Sequence, residues 1–69
     1  MNNDVYKKIE IVGTSRDSVS DAIEAAIERA RHTVEELRWF EVIETRGYIE
    51  EEELEYQVTL KIGFQISGD

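Results

Sequence analysis

The last segment of the chain carries the pattern that most limits the possible folds. From residue 54 to residue 66, apolar side chains alternate with polar residues or glycine without a break. The even positions hold Leu54, Tyr56, Val58, Leu60, Ile62, Phe64 and Ile66. Because successive side chains of a strand point to opposite faces, the segment predicts a β-strand with one apolar and one polar face. The apolar face requires a cover from the rest of the chain.

Three other elements are predicted before this strand. Residues 5–12 are rich in β-branched types and predict a strand, which residues 13–15 (Gly-Thr-Ser) are expected to break. Apolar residues at spacings of three and four predict a helix from about residue 17 to 37, a rod of roughly 30 Å. Residues 39–49 predict another strand, and the glutamates at 50–53 predict a polar turn.

The order of these elements predicts an α+β fold with the arrangement β-α-β-β. The second and third strands form a hairpin, and the first strand pairs antiparallel with the third, so that the helix is a right-handed crossover. The helix then covers the apolar face of a three-stranded antiparallel sheet, and the other face stays open. We expect one domain, residues 1–69, because the chain has only 69 residues.

The small size makes self-association an expected source of stability. A domain of this length buries only about 60% of the surface that its unfolded chain exposes, and it usually needs disulfides, a metal or oligomerisation. The chain has no cysteine and a single histidine, which excludes disulfides and makes a zinc site implausible. The remaining sources of stability are an unusually good core and self-association into an oligomer.

The charge of the chain limits its partners. The formal net charge is −8, so nucleic acid and anionic membranes are not expected to bind. No apolar stretch reaches the roughly 18 residues of a membrane span, and the N-terminus shows no secretory signal. Together with the absence of cysteine, these features predict a cytoplasmic protein.

The only tryptophan is expected on the open face of the sheet. Phe40 and Val42 suit the covered face, so their neighbours along the second strand point away from it. The side chains expected on the open face are Trp39, Glu41, Ile43 and Thr45 of the second strand and Gln57, Thr59, Lys61 and Gln65 of the third. An exposed tryptophan is typical of a subunit contact and also of a platform for a flat ligand, and this pattern leaves both interpretations open.

The hairpin predicts which residues of its two strands face each other. A tight turn centred on Glu51 pairs residues whose numbers add up to about 102. Trp39 then faces Gly63, whose missing side chain leaves a gap, and Thr45 faces Gln57. Six residues separate the two pairs, which is about 20 Å along a strand. If Trp39 and Gln57 bind one ligand, we therefore expect them to come from different subunits.

Three segments follow one another along the chain: residues 5–15, then Arg38-Trp39-Phe40-Glu41-Val42 followed by Arg46-Gly47, and then Tyr56-Gln57-Val58-Thr59-Leu60-Lys61-Ile62-Gly63-Phe64. In this order and at this spacing, they resemble the dodecin family. The resemblance spans about residues 5–66. It implies a β-α-β-β protomer whose sheet partly wraps the helix, a hollow homododecamer as the assembly, and no catalytic turnover.

The resemblance also implies a flavin ligand. Family members bind riboflavin, FMN or related flavins as pairs between subunits, and the tryptophan matched by Trp39 stacks on the ring. The glutamine matched by Gln57 hydrogen-bonds the polar edge of the ring, and Arg46 matches an arginine that approaches the phosphate of FMN. A surface ion pair with a nearby glutamate is the alternative for Arg46. Many bacterial members carry an arginine where this chain has Gln65, so riboflavin is favoured over FMN.

The implied function is storage, sequestration and photoprotective quenching of a flavin. The alternative is a homo-oligomeric structural or regulatory protein that binds coenzyme A or a divalent cation and no flavin. His32 lies off the apolar stripe and lacks the partners of a catalytic histidine. The glutamates at 50–53 lack the glycine and spacing of a calcium loop, and residues 13–15 lack the lysine of a P-loop. We therefore predict neither an enzyme nor a metal site.

Overall fold

The structure is one three-stranded sheet with one helix against it. The computed structural model describes residues 3–66. Four elements follow one another: β1 (Val5–Ser15), α1 (Val19–Ala30), β2 (Leu37–Ile49) and β3 (Leu54–Ile66). The sheet has the order β1-β3-β2, and β3 is antiparallel to both neighbours. The predicted α+β fold with a β-α-β-β arrangement is confirmed, and the homododecamer stays a prediction.

The first strand is longer than the sequence predicts. Residues 13–15 do not break β1, because they pair with residues 56–58 of β3. β3 is long enough to offer hydrogen-bonding partners to this segment, and this pairing outweighs the low strand propensity of glycine. Gly13 also lets the helix come close, since a Cβ there would lie 2.9 Å from the Cβ of Ala26.

The helix is shorter than predicted. It spans 12 residues, about 18 Å, instead of the rod of roughly 30 Å expected for residues 17–37. Ser18 caps its first turn by accepting a hydrogen bond from the backbone N–H of Asp21 at 2.9 Å. The helix cannot reach residue 37 because Glu36 has a left-handed backbone conformation (φ 65°), and its carbonyl accepts a hydrogen bond from the N–H of Gln65 in β3. No helix within residues 3–66 is long and apolar enough to cross a membrane.

The core lies between the helix and the central strand. It consists of Ala22, Ala26, Ala30, Val58, Leu60 and Ile62. The small alanines bring α1 close to the sheet, and the even residues of β3 face them, as the alternation predicts. α1 packs against β1 and β3 and leaves β2 largely uncovered. Phe40 and Val42 are paired with core residues but stay 45% and 46% exposed, so the expectation that they join the core is wrong.

Candidate functional site

The outer face is the side of the sheet opposite α1. The strand register places on it Tyr6, Lys8, Glu10, Val12 and Thr14 of β1, Trp39, Glu41, Glu44, Arg46 and Tyr48 of β2, and Gln57, Thr59, Lys61, Gly63 and Gln65 of β3. We call the part around Trp39 and Gly63 the Trp39 end, and the part around Arg46 and Gln57 the Gln57 end. All four residues proposed from the sequence lie on this face.

The indole of Trp39 lies flat on Gly63. The two residues are paired across β2 and β3, as the hairpin spacing predicts. A Cβ at Gly63 would come within 2.6 Å of Trp39 Cη2 and still closer to two neighbouring atoms of the six-membered ring. Three consecutive ring atoms at similar distances mean that the face of the ring, and not its edge, covers the glycine. Only glycine leaves room for this position, because every other residue has a Cβ.

Two residues of β1 lie beside the indole. The ring of Tyr6 meets the ring of Trp39 edge-on, with 5.1 Å between the centroids and 68° between the planes. Lys8 is the β1 partner of Gly63, and its Nζ lies 2.5 Å from Oε2 of Glu41. This ion pair spans β3 next to the indole. Trp39 nevertheless stays 40% exposed, although tryptophan side chains are on average highly buried.

The carboxylate of Glu41 is the titratable group most affected at this end. The hydrogen bond from Lys8 lowers the pKa of Glu41 below its ordinary value, and partial desolvation opposes this less strongly. The charges of Lys8 and Lys61 and the indole N–H of Trp39 lower the pKa further. Glu41 is therefore ionised at neutral pH, and its negative charge lies beside the exposed ring.

A β-bulge decides which residues meet at the Gln57 end. The register shifts by one at Ile43, which is the extra residue of the bulge. Gln57 therefore pairs with Arg46, and its predicted pairing with Thr45 is wrong. Thr45 pairs with the buried Val58 and faces the helix side, because an extra residue inverts the faces of those that follow. The bulge thereby brings Arg46 to the outer face, beside Gln57.

The two ends are far apart within one chain. Six residues of β3 separate Gln57 from Gly63, which corresponds to roughly 20 Å along the strand. A single flat ring cannot reach both Trp39 and Gln57 of the same chain. The guanidinium of Arg46 lies over the ring of Tyr48, 5.7 Å from its centroid. Among residues 3–66, Arg46 forms no ion pair, so this part of the chain does not supply the glutamate partner considered as its alternative.

Comparison with protein families identifies the family to which this chain belongs. The dodecin family model matches residues 5–67 of the chain. The chain belongs to the dodecin family. The dodecin of Thermus thermophilus is 54% identical over 63 residues, which are 90% of this chain and 91% of that protein. The calcium dodecin of Mycobacterium tuberculosis is 35% identical over 63 residues, which are 90% of this chain and 89% of that protein.

Solved dodecin structures share the fold of this chain. An arginine-to-alanine variant of Thermus thermophilus dodecin matches with a TM-score of 0.92 at 50% identity, over 97% of this chain and 100% of that chain. The dodecin of Streptomyces davaonensis matches with a TM-score of 0.92 at 41% identity, over the same shares. The predicted family membership is confirmed. Dodecins assemble into oligomers and bind small ligands.

Gln65 lies at the Trp39 end of this dodecin, where it pairs with Tyr6. Its amide oxygen accepts a hydrogen bond from Nη2 of Arg38 at 2.9 Å, and its amide nitrogen donates to Asp4 at 3.3 Å. Arg38 also donates to Glu36 at 2.5 Å. Position 65 carries no charge of its own, but a guanidinium lies one hydrogen bond away.

Three residues at the Trp39 end make contacts that the sequence does not predict. Tyr6 and Lys8 share the even positions of β1 with charged and polar residues, which is a signal for the outer face. Only the pairing of β1 with β3 places them next to Trp39. Arg38 lies at a second irregularity of β2, between the paired residues Leu37 and Trp39. No glycine or proline lies at either irregularity of β2, so neither could be predicted from the sequence.

The remaining candidates from the sequence are surface groups of this dodecin. His32 is exposed, and its Nε2 lies 3.9 Å from a carboxylate oxygen of Glu28. The acidic turn between β2 and β3 is held by Arg16, which pairs with Glu50 at 2.9 Å and with Glu53. The hydrogen bond with Glu50 raises the pKa of Arg16. Within residues 3–66 no group of three or more His, Cys, Asp or Glu side chains has the geometry of a metal site.

Proposed function

We propose that this chain stores, sequesters and photoprotectively quenches riboflavin or FMN, bound as stacked pairs between the subunits of a cytoplasmic homododecamer. The observation that carries the proposal is the indole of Trp39, which lies flat on Gly63 with 40% of the residue exposed. The side chains at the two ends of the outer face, the Trp39 end and the Gln57 end, bind and orient a ligand, and we propose no catalytic turnover for them.

An indole that is both fixed and exposed is a stacking surface for a flat aromatic ligand. Aromatic pairs prefer offset-stacked or edge-to-face contacts, and such a pair adds about 0.5–1.5 kcal/mol beyond the burial of its surface. Tyr6 takes an edge-to-face position against the indole of Trp39. The ring face that points away from Gly63 is left for stacking, and it suits an isoalloxazine ring.

Stacking on an indole also accounts for quenching. In a stacked pair an electron can pass from the indole to the photoexcited flavin and return, so that the light energy becomes heat and neither ring is consumed. The chain contributes the electron-rich ring and its fixed position. Storage without damage by light follows from the same contact that binds the ligand.

We propose that Gln57 and Arg46 of a neighbouring subunit complete the site. Within one chain these residues lie roughly 20 Å from Trp39, too far for one ring. An amide presents a donor and an acceptor side by side, which suits the imide edge of a flavin. Arg46 is paired in register with Gln57, and a guanidinium fork suits the phosphate oxygens of FMN.

Riboflavin stays the favoured ligand over FMN. Gln65 brings no charge to the Trp39 end, and the neighbouring Arg38 is already paired with the carboxylate of Glu36 at 2.5 Å. A guanidinium that is neutralised by a carboxylate attracts a phosphate less than an unpaired one does. The preference therefore depends on how much Arg46 contributes at the other end.

Exposed apolar side chains support the oligomer on which the site depends. Large apolar side chains that stay exposed in the single chain include Val5, Phe40, Val42, Ile43, Ile49 and Leu54. Ile49, at the end of β2, is 89% exposed. A domain this small is expected to cover such a surface with further copies of itself.

A second candidate function is that of a homo-oligomer that binds a divalent cation or coenzyme A and no flavin. The observation in its favour is that the similar protein of Mycobacterium tuberculosis is named a calcium dodecin. Coenzyme A shares phosphate groups with FMN, so Arg46 suits it as well. The two candidates differ in whether they need the exposed ring of Trp39.

Riboflavin fluorescence tests the proposal. We expect the purified oligomer to quench added riboflavin strongly, and Trp39→Ala to lose most of this quenching while light scattering shows the same oligomer. Trp39→Phe is the matched control, because it keeps a flat ring but not the indole. Its affinity for riboflavin should lie between those of the parent chain and Trp39→Ala.

The outcomes separate the two candidates. If Trp39→Ala binds and quenches riboflavin as well as the parent chain does, the stacking proposal is wrong. A parent chain that leaves riboflavin fluorescent, but binds calcium or coenzyme A in calorimetry, supports the second candidate.

A further inference from the structure

The Trp39 end contains one contact that a stacking surface does not require in itself. Lys8 on β1 and Glu41 on β2 form an ion pair of 2.5 Å across β3. The partner of Glu41 in the register is Lys61, on the adjacent strand. The carboxylate of Glu41 nevertheless pairs with Lys8 and not with Lys61. Lys8 is paired with Gly63 in the register, so it lies at the same level of the sheet as the indole.

The ion pair lies on the same face of the sheet as the ring of Trp39. Gly63 lies beneath the ring, the ring of Tyr6 packs against it at 68° between the planes, and the strand register places the Lys8–Glu41 pair beside it. The indole N–H acts on the carboxylate of Glu41 in the same sense as the ammonium group does, since both lower its pKa. The ring face opposite the glycine is the part left for a ligand.

Stability does not explain the place of this ion pair. Its two side chains are 44% and 41% exposed, and exposed ion pairs add little to the stability of a protein. Its effect on the neighbouring ring is geometric. Lys8 is paired with Gly63, which lies beneath the ring, so the carboxylate that Lys8 holds restricts the space in which the ring can rotate. An indole that is already fixed before binding loses less conformational entropy when the ligand binds.

We propose that Glu41, held by Lys8, is a positioning residue that fixes the plane of the Trp39 indole for stacking. The inference deepens the proposed function and rests on it for the identity of the ligand. Fixing one side chain in advance is expected to strengthen binding about threefold to tenfold. Glu41 acts through the indole and does not have to touch the ligand.

Variants of the ion pair test this role in the ligand-free oligomer first. Trp39 is the only tryptophan of the chain, so its near-UV circular dichroism and its indole N–H resonance report this ring alone. We expect Glu41→Ala and Lys8→Met to weaken the dichroism of Trp39, to shift its N–H resonance, and to weaken riboflavin binding about threefold to tenfold. Glu41→Gln keeps an oxygen acceptor, so it should recover part of both signals.

Two further variants serve as controls. Glu44→Ala removes an exposed carboxylate from the same face of β2, and it should change neither the Trp39 signals nor the affinity. The double variant Lys8→Met/Glu41→Ala should be no worse than either single variant, because the two residues act as one unit.

The ligand-free signals decide the inference. If Glu41→Ala leaves the dichroism and the N–H resonance of Trp39 unchanged, the inference is wrong, and a loss of affinity alone would make Glu41 a ligand contact. If the parent chain does not bind riboflavin, the proposed function fails, while the ligand-free signals of Trp39 still decide the role of Glu41.

Discussion

The two ends of the outer face differ in how much of their order comes from their own chain. At the Trp39 end, residues of all three strands meet at one ring, with Gly63 beneath it and the ring of Tyr6 in a T-shaped contact with it. At the Gln57 end, Arg46 lies over the ring of Tyr48, a residue of its own strand. The first end is ordered across the sheet, and the second is ordered only along β2.

This difference indicates that subunits contribute unequally to a shared site. A stacking surface is useful only in a fixed plane, so ordering it in advance lowers the cost of binding. An amide and a guanidinium can be oriented by the ligand when two subunits bring them together. We therefore expect a large loss of riboflavin affinity when the packing of Trp39 on Gly63 is disturbed, and smaller, ligand-dependent losses elsewhere.

The largest effect is expected from Gly63→Ala. The added Cβ would stand 2.6 Å from Cη2 of Trp39, so the indole has to leave its position over β3. We expect riboflavin affinity to fall about tenfold or more, with a changed near-UV dichroism of Trp39. Thr59→Val, on the same strand and face, is the control and should keep both signals. Equal affinities of Gly63→Ala and the parent chain would show that this ring position is not needed.

Mixed oligomers test whether the two ends belong to different subunits. Trp39→Ala removes one end of a site and Gln57→Ala the other, so each variant alone should bind riboflavin poorly. If the two residues of a site come from different subunits, oligomers reassembled from equal amounts of both variants regain about a quarter of the sites, because subunits associate at random. Riboflavin titration counts these sites, and a mixture that regains none would place both residues of a site on one chain.

Arg46→Gln is expected to separate FMN from riboflavin. A hydrogen bond to a charged group is worth about 1.5–3 kcal/mol, so the affinity for FMN should fall roughly tenfold or more, and that for riboflavin less than about twofold. Tyr48→Leu removes the ring beneath the guanidinium but keeps the charge, so it should cause a smaller loss for FMN. Equal losses for both flavins in parallel titrations would mean that Arg46 does not act on the phosphate.

The smallest effect is expected from Gln65→Arg. The new cation would meet Arg38, which already contacts position 65, and repulsion between two guanidinium groups limits the gain. We expect an affinity gain of about threefold for FMN, lost at high salt, and none for riboflavin. A gain for riboflavin as well would show that residue 65 acts on the flavin ring rather than on the phosphate.

The sequence predicts the two faces of the sheet better than its exact register. Thirteen alternating residues leave one interpretation for β3, and its observed bounds agree with the pattern. The estimated sum of 102 holds for Trp39 with Gly63, but it is one too low for Arg46 with Gln57. The bulge at Ile43 lies between these pairs, and an extra residue of this kind follows from the packing of the strands rather than from a local signal.

Long-range contacts also decided where the helix ends. The apolar spacing continues to Val34 and Leu37, which is why the helix was expected to reach residue 37. Leu37 instead pairs with Phe64, and the carbonyl of Glu36 accepts a hydrogen bond from β3. The strand β2 therefore begins before the apolar helical spacing ends. The same kind of contact explains why Tyr6 was not expected beside Trp39. A pattern along the chain shows the face of a residue but not its neighbour across the sheet.

The most direct test is a crystal structure of the oligomer with riboflavin. We predict an isoalloxazine ring stacked on Trp39 of one subunit, with its polar edge within hydrogen-bond distance of Gln57 of another subunit. A ring that contacts Trp39 and Gln57 of the same chain, or a riboflavin bound away from Trp39, would contradict the account.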